Sequence, residues 1–213
     1  MSNHVILLGD SIFDNGRYTG NEPDVVSHLN NILPAGWKAT LCARDGHRAA
    51  DLCTQLTGIP PDASHLVVSI GGNDALGSLD MLYLPVKSPA EALEVFHERI
   101  SRFESDYIQA LQEVERLGLP LTVCTIYDGN FPDPQERRVK RIALMLFNDV
   151  ILRQAIENQR QVIDLRMVCT QKEDYANPIE PSGQGGRKIA AAIAHTVGAL
   201  DASTRRNEIW GVI

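Results

Sequence analysis

The residues of this 213-residue chain whose types and spacing could do chemistry begin with Ser11, in GDSIFDN directly after the apolar run Val5-Ile6-Leu7-Leu8. A buried strand ends there and the chain turns, so the hydroxyl is placed to act as a nucleophile if a neighbour accepts its proton. Taken alone, Gly9-Asp10-Ser11 is a weak signal, because Gly, Asp and Ser are what strand-to-helix turns prefer. Two further turns add weight. Gly71-Gly72-Asn73-Asp74 brings an amide donor, Asn73, to a backbone that can turn sharply. Arg44-Asp45-Gly46-His47 opens a helical segment, where the exposed Gly46 amide suits a developing negative charge. The amides of Ser11 and Gly46 and the side chain of Asn73 would then surround one oxyanion, and each such donor is typically worth roughly 2.7–4 kcal/mol in a transition state. Asp10 is expected to bind the turn amides around Ser11 and, with His47 and Asp74, to border the substrate.

The elements that must position these residues follow from periodicity. Near-continuous apolar runs at residues 4–9, 37–43, 65–71, 119–127 and 161–166 read as strands covered on both faces. Helical patterns at about 22–33, 48–57, 88–117, 134–158 and 183–199 separate or follow them, giving five βα units and a parallel five-stranded sheet with helices on both sides. Ligands of such sheets bind beyond the carboxyl ends of the strands, which is where GDS, RDGHR, GGND and IYDGN all fall. No repeat, low-complexity tract or linker divides the chain, so residues 1–213 read as one domain.

In this combination the chain resembles the GDSL or SGNH hydrolases, serine esterases, lipases and acyl-transfer enzymes on a flavodoxin-like three-layer α/β/α fold. The resemblance rests on Ser11 in GDS, on Gly46 and Asn73, and on the block Asn177 to Ser182. It implies ester hydrolysis through an acyl-Ser11 intermediate with no cofactor and no metal. The final block departs from the family pattern of Asp, two residues, then His, because Asn177 and Glu180 stand at those places, followed by Pro181-Ser182.

Two proton acceptors are therefore open. A Ser11/Glu180/Asn177 arrangement makes Glu180 the base, with Asn177 donating to its carboxylate; burial would raise the Glu180 pKa, and the helix N-terminus expected at Ser182-Gly183 would lower it. The other acceptor is His47, beside the oxyanion glycine. His4 and His65 begin strands at the wrong end of the sheet, and His28, His97 and His195 fall within helices.

Other readings compete with hydrolysis. The pocket could bind an acyl or carbohydrate ligand without cleaving it, or Asp10, Asp14, Asp74 and Asp128 could hold a divalent cation for phosphoester cleavage. The formal charge of −7 argues against nucleic acid as a partner, and the basic run Arg137 to Arg141 reads as a solvated helix face. No stretch approaches a membrane span and no signal segment precedes the first strand, so a cytoplasmic protein with a small-molecule ester substrate and no membrane partner is expected. Cys42, Cys53, Cys124 and Cys169 are too widely spaced for a zinc site and read as reduced thiols. GSLDMLYLPVKSP, after GGND, reads as an apolar pocket wall, ordinary packing or a partner surface. The apolar tail Glu208 to Ile213 is expected to pack on this chain or a second copy.

Overall fold

A computed structural model describes residues 3–200, so the expected packing of the 208–213 tail lies outside the described residues. Five strands, β1 (Asn3–Gly9), β2 (Trp37–Leu41), β3 (His65–Ser69), β4 (Leu121–Cys124) and β5 (Gln161–Ile163), form one parallel sheet in the order β2-β1-β3-β4-β5. Alternate residues of β1 feed two cores. Ile6 and Leu8 pack with Leu66 and Val68 against a 3-10 helix (Ala49–Gly58), α3 (Pro89–Glu115) and α4 (Pro134–Glu157). Val5 and Leu7 pack with Val67 against α1 (Val25–Ile32) and α6 (Gly183–Thr196). The result is the expected three-layer α/β/α arrangement, and every strand lies where the apolar runs placed it. Two short helices complete it, α2 (Gly72–Leu76) after β3 and α5 (Leu165–Val168) after β5.

Two differences from the pattern are local. The second crossover is 3-10 rather than α: Thr54 and Thr57 donate their hydroxyls to the carbonyls three residues back, at 2.7 and 3.2 Å, which favours the tighter turn. β4 ends at Cys124, and two residues on Asn148 of α4 takes over the backbone groups of Ile126, accepting from its N–H and donating to its carbonyl, both at 2.8 Å. Among the described residues no helix is long and apolar enough to cross a membrane.

β1 has β2 on one side and β3 on the other, so the chain reverses direction across the sheet at this pair. A crevice opens beyond their carboxyl ends, the general ligand position of such sheets. Ser11 follows β1, and Gly72-Asn73 follow β3.

Candidate active site

Gly9 fixes the turn that presents Ser11. Its φ is +131°, and a Cβ there would lie inside the Ser69 carbonyl of the neighbouring strand, so only glycine fits. Asp10 then closes the turn with its side chain, accepting from the Ile12 N–H at 3.1 Å, while its backbone carbonyl accepts from Phe13 and Asp14. The fully buried Phe13 anchors the far side. Asp14 accepts from the Asp45 N–H at 2.9 Å and ties this turn to the loop carrying Gly46.

Ser11 Oγ donates to Glu180 Oε1 at 3.1 Å. Glu180 is only 5% exposed, and its second oxygen, Oε2, has no hydrogen-bond partner among the described residues. Burial raises its pKa to about 7; the Ser11 hydrogen bond opposes the rise, and the Asp45 charge adds to it. The competition left open by the sequence is won by desolvation. The helix N-terminus does not reverse it, because Ser182, not Glu180, caps α6 by accepting from the Gly185 N–H at 3.2 Å.

Asn177 does not orient the carboxylate in the expected way. Its Oδ1 accepts from the backbone N–H groups of Ile179 and Glu180, both at 2.9 Å, folding an Asx turn that sets where Glu180 leaves the backbone. The same loop is held by the Tyr127 hydroxyl, which donates to the Ile179 carbonyl at 2.7 Å, and by the Asn130 N–H, which donates to that of Pro178 at 2.8 Å. Glu180 is positioned through its backbone.

Gly46 has φ +83° with open space around its Cα, so its glycine is required by backbone conformation. Asn73 borders the pocket and donates one Nδ2 hydrogen to the His47 carbonyl at 2.9 Å, which leaves its second N–H for a ligand. His47 is placed differently from the general-base expectation and makes no hydrogen bond to Ser11. Its Nδ1 is 3.0 Å from Gln55 Nε2. Gln55 Oε1 accepts from the Gly9 N–H at 2.8 Å and Nε2 donates to the Gly9 carbonyl at 2.7 Å, so the amide orientation is set and His47 Nδ1 is the acceptor. The ring proton is then on Nε2, and the lone pair a base would use is occupied.

Gln55 is the site residue that sequence reasoning missed. It is 2% exposed, within a segment that reads as an ordinary helix, and its chief partner is 46 residues away. It joins the turn before Ser11 to the loop after Gly46. Gln55→Leu is expected to leave the Gly9 N–H unsatisfied and to cost about 3 kcal/mol in urea unfolding, with slower covalent labelling of Ser11. Unchanged stability would show that the Gly9 backbone finds other partners.

The substrate-border assignments change as well. Asp74 accepts from the Ala49 N–H at 3.1 Å and holds the start of the 3-10 helix, and neither it nor His47 lines the pocket. Asp10 touches the pocket but is a buried turn carboxyl whose pKa is raised to about 7, by desolvation first, then by the charges of Glu180 and Asp74, against the Ile12 hydrogen bond. Asp10, Asp14, Asp74 and Asp128 do not form a metal-ligating group among the described residues.

The pocket extends from Ser11 and Glu180 beneath α4, enclosing about 730 Å³ with its open mouth. Leu79 and Met81 of the GSLDMLYLPVKSP segment form one wall, while Tyr83, Leu84 and Val86 stay exposed. Ala143, Leu144 and Phe147 of α4 form another. Lys140 also turns inward, 3.7 Å above the Phe131 ring and 2.6 Å from Glu136, unlike the rest of the basic run, which is solvated as expected. Its spacing to Ala143, Leu144 and Phe147 was the available signal, since i, i+3, i+4 and i+7 share one helix face.

This architecture, with the serine after the first strand and an acidic block before the last helix, is the fold of the GDSL/SGNH hydrolases. Three solved structures show the likeness across the chain. A lipase from goat rumen metagenome has a TM-score of 0.69 at 19% identity, covering 92% of this chain and 97% of its own. A G-D-S-L family lipolytic protein from Veillonella parvula has a TM-score of 0.68 at 14% identity, covering 93% and 100%. The acetyl xylan esterase AlAXEase has a TM-score of 0.64 at 16% identity, covering 91% and 99%. No family model and no curated protein matches the sequence.

Proposed function

We propose that the chain is a serine esterase in which Glu180 takes the place of the usual histidine, acting on small carboxylic esters such as acetylated sugars. The observation that carries this reading is the hydrogen bond from Ser11 Oγ to a desolvated Glu180 carboxylate at the mouth of an apolar pocket. Lipolytic and acetyl-esterase neighbours sharing the fold are consistent with it.

In the reaction, Ser11 Oγ bonds to the ester carbonyl carbon as its proton passes to Glu180 Oε1. The amides of Ser11 and Gly46 and the free N–H of Asn73 receive the oxyanion. Collapse expels the alcohol, which takes the proton from Glu180 and leaves acyl-Ser11. Water then attacks the acyl carbon, delivers its proton to Glu180, and the acid departs as the proton returns to Ser11. A carboxylate with a pKa near 4.3 would be a poor base for these transfers, and one raised to about 7 is matched to neutral solution.

The direct test is the rate at which a fluorophosphonate labels Ser11, followed by intact mass against pH, with Ser11→Ala as control. Labelling is expected to rise with pH through about 7, since the base must be ionised. The midpoint should persist in His47→Gln. Its disappearance in that variant would move the base to His47, and an absence of Ser11-dependent labelling in folded protein would favour a non-catalytic acyl- or carbohydrate-binding pocket.

A further inference from the structure

The inner face of α4 lines the pocket, and its outer face carries an apolar stripe that nothing among the described residues covers. Val139, Ile142, Met145 and Leu146 are 43, 65, 50 and 38% exposed. At 100° per residue these four side chains and Arg138 fall within one third of the helix circumference, opposite Lys140, Ala143, Leu144 and Phe147. Four of the chain's exposed large apolar residues thus lie within two turns of one helix.

The charge of the same segment says what covers it. Arg137, Arg138 and Arg141 are exposed, on a chain whose formal charge is −7. The nearby carboxylates are engaged: Glu136 pairs with Lys140, Asp149 with Arg153, and Asp133 caps the helix. Arg141 bridges to Asp128 at 3.0 Å and Arg137 donates to the Phe131 carbonyl, both partners lining the pocket, so the cationic rim and the pocket wall are continuous. Arg138 has no ion-pair partner among the described residues. A helix face that carries an apolar stripe with arginines within it and along one edge suits the boundary of a bilayer with anionic headgroups.

We propose that this outer face of α4 docks the protein onto an anionic lipid surface. A second copy of the chain is the weaker occupant, because a two-fold pairing of this face would bury the Arg138 guanidinium, which has no ion-pair partner among the described residues, against the apolar stripe of the copy. The expectation of no membrane partner rested on the lack of a spanning segment, and a surface-lying helix needs none. Docking is independent of the chemistry at Ser11, so the two readings fail separately.

The experiment is flotation of the intact chain with vesicles of phosphatidylcholine and phosphatidylglycerol in equal parts, against pure phosphatidylcholine, at low salt. Wild type and Ser11→Ala are expected to bind the anionic vesicles equally and the neutral ones weakly. Arg138→Glu should lower the partition coefficient at least about fivefold, an effect that high salt diminishes. Ile142→Ser with Met145→Ser should lower it about tenfold or more, with circular dichroism confirming the fold. No binding to anionic vesicles, or wild-type binding by the double serine variant, would overturn the proposal. A wild-type dimer in sedimentation velocity that the double variant turns into monomer would assign the face to a second copy instead.

Discussion

Glu180→Gln is expected to lower turnover of a p-nitrophenyl ester by roughly 10⁴- to 10⁶-fold, the range seen when a serine hydrolase loses its base or the carboxylate that orients it. Glutamine preserves the shape of the side chain and can still accept from Ser11 Oγ, but it cannot take up a proton. KM should therefore change little. The fold should also persist: at pH 5, where Glu180 is largely protonated given a pKa of about 7, the two proteins should unfold at nearly the same urea concentration. Retained turnover in a variant that unfolds normally would remove Glu180 from the chemistry and leave its contact with Ser11 as packing. The large expected effect follows from isolation. His47 is committed to Gln55 through Nδ1, and Asp10, though ionisable near neutrality, is occupied with the Ile12 amide.

How much of this was legible in the sequence differs by residue. The five strands were, because strands covered on both faces have to be apolar almost continuously, and Val5 to Leu8 or Leu66 to Val68 admit no other reading in an alternating α/β chain. The approach of Ser11 to Glu180 was legible only through resemblance, since 169 residues separate them and no local pattern joins them. The direction of the Glu180 pKa was not legible at all. It depends on how much water the folded loop excludes, and the sequence showed two opposing effects without their sizes. Asn177 was misread although a signal stood beside it: Asn-Pro commonly initiates a turn, and an Asx oxygen that accepts from amides two and three residues on commits the side chain to its own loop. Gln55 shows the limit most clearly, because a buried amide serving a strand end 46 residues away has the same local sequence as a solvated one.

Asp10→Asn is expected to change the pH dependence of both stability and activity. In the unfolded chain the Asp10 carboxyl titrates near 3.8, and burial moves this to about 7 in the folded protein. Between those values the folded state holds a proton that the unfolded state has released. The contribution of Asp10 to stability is therefore greatest below about pH 4, falls as pH rises toward 7, and is lost above it. A shift of about three units corresponds to roughly 4 kcal/mol. Asparagine keeps the acceptor for the Ile12 amide but turns an N–H toward the Gly72 amide that also contacts the carboxyl, at a cost of about 1–2 kcal/mol. Urea unfolding should then show the variant more stable than wild type by about 2–3 kcal/mol at pH 8, with the order reversed or equal at pH 4. Activity should shift by the same physics. The Glu180 charge helps raise the Asp10 pKa, so by reciprocity removing the Asp10 charge lowers that of Glu180, and the rise in kcat/KM moves to lower pH. A variant whose stability tracks wild type from pH 4 to pH 8 would show that Asp10 stays ionised in the fold.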